Sequence, residues 1–120
     1  MIEGWFDDDK LFFEIGLVAA DGEIIPVEVL LDTGFTDWLA MNNQDLESLG
    51  WLALDDEQPM QTAQGEIMFN VYAGTVLIDG QEFTIPVLGG DNLSEILLGM
   101  PWLRTRRLLV DFPAGVLTLG

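Results

Sequence analysis

The sequence predicts an all-β sandwich or barrel. Three observations carry that expectation: apolar runs short enough for strands, Asp-Gly pairs at Asp21-Gly22 and Asp79-Gly80 between such runs, and only two short stretches with helix punctuation. Asp-Gly supplies the positive φ that a tight hairpin turn requires, and many short strands with few helices fit a sandwich or a barrel.

Leu11 to Ala20 and Glu23 to Leu31 form the first hairpin around Asp21-Gly22. Pro26 cannot donate to a ladder, so its nitrogen is expected to face an edge or a bulge. Asn42 or Asn43 caps a short helix running through Leu49, which Gly50 stops. Asp55, Asp56, Glu57 and Pro59 read as a charged, solvated break. Beyond it, Met60 to Ala63 and Glu66 to Tyr72 make a projecting hairpin around Gln64-Gly65.

A third hairpin joins Val71 to Ile78 with Gln81 to Leu88 through Asp79-Gly80, and Gly89 to Asn92 is a loop leading into the buried run Ile96-Leu97-Leu98-Gly99. Pro101 suits the first turn of a second short helix reaching about Arg106, where Arg104, Arg106 and Arg107 complement the helix dipole. Leu108 to Phe112 and Val116 to Leu119 close the chain as two strands. The segment Gly4 to Lys10, with Trp5 and Phe6 beside three aspartates, is expected to be loosely ordered.

Composition excludes several classes of function. The 120 residues fit one domain, residues 1–120, with no room for a second. There is no His and no Cys, so Ser-His or Cys-His nucleophiles, disulfides, iron–sulfur clusters and zinc sites of the usual ligands are absent, and acid–base work falls to carboxylates. No cofactor or metal is implied. With 21 acidic residues against 4 basic and a formal charge of −17, nucleic acid and anionic membrane surfaces are poor partners. An apolar fraction of 49% is too high for a disordered acidic tail and leaves surface for a dimer interface. The start of the sequence lacks the basic, apolar pattern of a secretory signal, and the longest apolar run, Ile96 to Leu103, falls short of the roughly 18 residues that cross a bilayer, so a soluble cytoplasmic protein is expected.

Chemistry concentrates at Val29-Leu30-Leu31-Asp32-Thr33-Gly34, where an apolar strand runs into a carboxylate. Such a carboxylate is costly unless it is hydrogen-bonded or shares a proton. A second buried run ending in glycine, Ile96-Leu97-Leu98-Gly99, follows later and leads into Pro101-Trp102-Leu103-Arg104.

These two motifs, in this order, resemble those of the retroviral-type (retropepsin-like) single-domain aspartic proteases, over roughly Leu11 to Leu119. The resemblance implies a closed β-barrel or sandwich with a flap hairpin and one or two short helices, the hairpin at Gln64-Gly65 standing where that family places its flap. It implies that Asp32 is catalytic, that the Thr33 hydroxyl bonds across a two-fold axis and that Gly34 lets the backbone approach. Phe35 departs from the Ala or Ser usual there and sits close to the expected path of substrate main chain. Thr36 and Asp37 occupy positions that hold substrate in some relatives, although Asp37 also reads as a solvated loop carboxylate.

Hydrolysis by carboxylates needs one ionised and one protonated group, and one chain offers a single Asp-Thr-Gly. A two-fold homodimer places Asp32 opposite its twin. Two charges about 4 Å apart repel by roughly 4 kcal/mol at an effective dielectric near 20, so one proton is shared. The expected activity is therefore an aspartic endopeptidase acting on extended or unfolded polypeptide, with an acid-shifted optimum. The alternative is a dimeric peptide-binding or scaffold module that has lost turnover, motivated by Phe35.

Overall fold

The computed structural model describes residues 1–62 and 65–120. Its elements are β1 (Ile2–Glu3), β2 (Trp5–Asp7), β3 (Lys10–Val18), β4 (Ile24–Leu31), β5 (Leu39–Asn42), α1 (Asn43–Leu49), β6 (Leu52–Thr62), β7 (Gly65–Ile78), β8 (Gln81–Gly90), β9 (Ile96–Leu98), a 3₁₀ helix (Met100–Arg104), β10 (Leu108–Asp111) and β11 (Val116–Leu119).

The larger sheet runs β2-β3-β4-β9-β5-β8-β7-β6, and an additional β3–β7 pairing closes its middle into a barrel. A smaller sheet, β1-β11-β10, packs Leu117 and Leu119 into the same core. The barrel interior holds Phe13, Leu17, Val29, Leu39, Val76 and Trp102, all essentially inaccessible. Period-two alternation puts the strand residues there: along β7, from Phe69, nearly every second residue is buried. Among the described residues no helix is long and apolar enough to cross a membrane.

Turn chemistry places most hairpins. Asp79 (φ 52°) and Gly80 (φ 78°) are both left-handed and join Ile78 directly to Gln81. The first hairpin is looser than expected: pairing stops at Val18↔Ile24, and Asp21 Oδ1 accepts the Glu23 N–H at 2.9 Å inside the loop. Pro26 sits on an open stretch of β4, because β9 covers only Val29 to Leu31.

Three expectations need correction. The amino-terminal segment is ordered, with Ile2 opposite Leu119 and Trp5 opposite Phe12, and Asp8 and Asp9 form a left-handed turn between β2 and β3. Residues 55 to 59 do not break the chain. They lie within β6, where the register shifts between Leu54 and Glu57, because an edge strand leaves the charged side chains of Asp56 and Glu57 in water while a bulge absorbs the extra residues. The second helix is 3₁₀ and ends at Arg104, so Arg106 and Arg107 lie beyond it.

Helix α1 is stopped by Gly50 at φ 74°. Its N-cap position is Asn42, but that side chain caps nothing in the helix. Instead Asn42 Oδ1 accepts the Leu93 N–H at 2.8 Å and its Nδ2 donates to the Leu93 carbonyl at 2.9 Å, which pins the loop ahead of β9.

Candidate active site

Strand β9 lies between β4 and β5, parallel to the first and antiparallel to the second, so the loop 32–38 joining β4 to β5 must arch over its end. Backbone hydrogen bonds fasten that arch. Asp32 N–H donates to the Leu98 carbonyl at 3.0 Å, Met100 N–H to Phe35 at 2.9 Å, and Gly99 N–H to Trp38 at 3.2 Å. Trp102 Nε1 donates to the same Trp38 carbonyl at 2.8 Å, its ring edge-on to Trp38.

Gly99 explains the second motif physically. A Cβ there would collide with the Asp37 carbonyl oxygen and stand 2.8 Å from the Phe35 ring, so only glycine lets β9 come this close to the arch.

Asp32 is half-buried at the mouth of a cleft of about 430 Å³. Its Oδ1 accepts the Gly34 N–H at 2.8 Å, a charge-assisted bond that orients the carboxylate toward the cleft. Thr33 and Gly34 are exposed at the arch. Phe35 forms part of the floor, but its ring is 5% exposed and packs with Ala40, Phe69, Val71 and Leu88. Its ring is thus packed into the core beneath the cleft.

Asp37 is half-buried and is not a freely solvated carboxylate: its Oδ2 accepts Gln58 Nε2 at 2.8 Å. Gln58 belongs to β6, so this bond ties the arch to the hairpin facing it. That hairpin projects as expected, since β7 pairs with β8 only from Asn70 onward and residues 65–69 pair with β6 alone. Gly65 (φ 104°) opens its second strand, and Gln64 lies outside the described residues. Pro59, Met60 and Phe69 bring the hairpin to the cleft, and Leu93 and Leu97 close it from the barrel side.

Sequence reasoning missed Gln58, Phe69 and Leu93 as cleft residues. Only alternation along β7 hinted at Phe69; Gln58 and Leu93 reach the site through long-range pairing that no local signal encodes.

This architecture is that of the retropepsin-like aspartic proteases. A retropepsin-like aspartic protease from Rickettsia conorii superposes on 98% of this chain and 86% of its own, with a TM-score of 0.63 and 22% identity. The protease of simian foamy virus (mac) matches 81% of this chain and 99% of its own, with a TM-score of 0.53 and 22% identity. No protein-family model and no curated protein sequence matches the chain. The fold expected from the two motifs is thus the fold present, with one α-helix and one 3₁₀ helix.

Proposed function

We propose that this protein is an aspartic endopeptidase that works as a homodimer, with Asp32 of each copy sharing one proton and activating a water. The observation that carries the reading is the oriented Asp32 carboxylate at the mouth of a cleft that a projecting hairpin faces. The other carboxylate in the cleft, Asp37, is engaged by Gln58, so a second copy is the better source of the partner acid. Exposed Thr33 at the tip of the arch is available to bond across the two-fold axis.

In the catalytic step the ionised carboxylate takes a proton from water while the protonated one donates to the scissile carbonyl oxygen. The resulting tetrahedral intermediate collapses as a proton passes to the leaving amine. Extended polypeptide suits the cleft because the hairpin backbone offers strand-like hydrogen bonding along it. The dyad predicts a bell-shaped pH profile whose limbs belong to the pair.

The test is cleavage of a denatured polypeptide in mildly acidic buffer by the parent and by Asp32→Asn. The parent is expected to cleave and the variant to lose about 10²–10⁴-fold, with specific activity falling as the dimer is diluted apart. Peptide binding without cleavage by either protein would support the scaffold module instead.

A further inference from the structure

We infer that polypeptide substrates are also read outside the cleft, by an arginine-lined concavity that takes an acidic stretch beside the cleaved segment. This rests on the endopeptidase reading and names a substrate class for it.

Three of the chain's 4 basic residues, Arg104, Arg106 and Arg107, line one concavity of about 770 Å³ whose wall also includes Leu103 and Leu109. The helix dipole accounts for Arg104 alone, because the 3₁₀ helix has ended before the other two. Although the chain carries 21 carboxylates, none of the three arginines forms an ion pair among the described residues. Arg106 is held in place by a 3.3 Å bond to Gln81 Oε1 and by the Phe83 ring, 5.4 Å from its guanidinium carbon. Arg104 and Arg107 are exposed, and the forked N–H donors of each can donate two parallel bonds to one carboxylate.

Shared lining residues place the concavity beside the cleft. Thr36 lines both the cleft and a smaller hollow that includes Met100 and Pro101, and Leu103 and Arg104 line both that hollow and the arginine concavity. An extended peptide advancing about 3.3–3.6 Å per residue along this path would leave the cleft and meet the guanidinium groups several residues later. The chain's negative charge does not cancel the effect: at physiological ionic strength the Debye length is about 8 Å, so remote carboxylates are screened while the arginines act at contact. The result is selection by position, with acid disfavoured generally and favoured at one distance from the cleaved bond.

The experiment uses peptides that share one cleavable apolar core and carry a triplet of Asp or of Asn at stepped distances from it. At one spacing, the Asp-tailed peptide is expected to show a kcat/KM about tenfold above its Asn-tailed counterpart. In the Arg104→Gln/Arg107→Gln variant, and in high salt, that ratio falls to about one. A ratio near one in the parent at every spacing, or a preference that survives in the variant, overturns the inference. Should no peptide be cleaved, the endopeptidase reading fails by itself. Fluorescence anisotropy of the same peptides on Asp32→Asn then decides the second site: tighter binding of the Asp tail, lost on adding the two Arg→Gln changes, supports it, and equal binding of both tails overturns it.

Discussion

Residues 32–38 and the projecting part of the β6–β7 hairpin border the same cleft, but they are held there differently. The arch is fastened to β9 by successive backbone bonds, backed by a buried Trp102 and a glycine with no space for a methyl group. The hairpin beyond Asn70 pairs only with itself, carries Ile67 and Met68 in the open at 40% and 51% exposure, and reaches the arch through the Gln58–Asp37 bond and the half-buried Met60. The carboxylate proposed to share a proton is on the overdetermined element, whereas the segment proposed to admit a polypeptide has little tertiary support.

The largest effect is expected from breaking the arch. Gly99→Ala drives a methyl group into the Asp37 carbonyl and the Phe35 ring, and destabilisation of about 3 kcal/mol or more is expected. Chemical denaturation measures it, and a loss below about 1 kcal/mol would show that the arch yields easily. Phe35→Ala is expected to cost a comparable amount, about 3–5 kcal/mol, because it empties part of the core cluster beneath the cleft. That variant has the small residue usual after the motif in the resembling family, yet thermal melting is expected to show a less stable protein.

Loosening the hairpin should cost far less. Gln58→Ala removes the bond to Asp37 and is expected to lower stability by about 1 kcal/mol while changing KM for peptides more than it changes the melting transition. An equal effect from Asp37→Ala, with no further loss in the double variant, identifies the bond as their shared contribution. Additive losses would mean that the two side chains act separately.

Legibility in the sequence follows the same division. Asp32-Thr33-Gly34, Leu97-Leu98-Gly99 and the Asp79-Gly80 turn are local solutions to local problems: a turn that needs positive φ, or a strand end that needs close approach. Such requirements restrict the residue at a given place, so the residue reveals them. Position makes Asn42 or Asn43 legible as a helix cap, but the Asn42 side chain serves Leu93, 51 residues away. Asp55 to Glu57 looked like a break because charge usually marks solvent, and an edge strand is also in solvent. Gln58 meets Asp37 from another element, 21 residues away in the chain. The buried place of Phe35 likewise depends on Phe69, Val71 and Leu88, which arrive from β7 and β8.

The smallest effect marks where the hairpin stops being a projection and becomes barrel wall. Tyr72, the chain's one tyrosine, lies just past that point on β7, at 5% exposure, with its hydroxyl 3.5 Å from Asn43 Oδ1. Burial, then the negative charges of Glu47 and Asp91, raise its phenol above the ordinary value of 10.0. A phenol raised in the folded state favours folding in its protonated form, so its contribution is complete below the unfolded value and is lost as pH rises through the folded one. Phenolate absorbance should therefore appear at a higher pH in the native protein than after denaturation. Glu47→Gln should lower the native midpoint only in part, since burial is the larger cause. A native midpoint equal to that of the denatured chain would place Tyr72 in contact with water and move the boundary between hairpin and barrel further along β7.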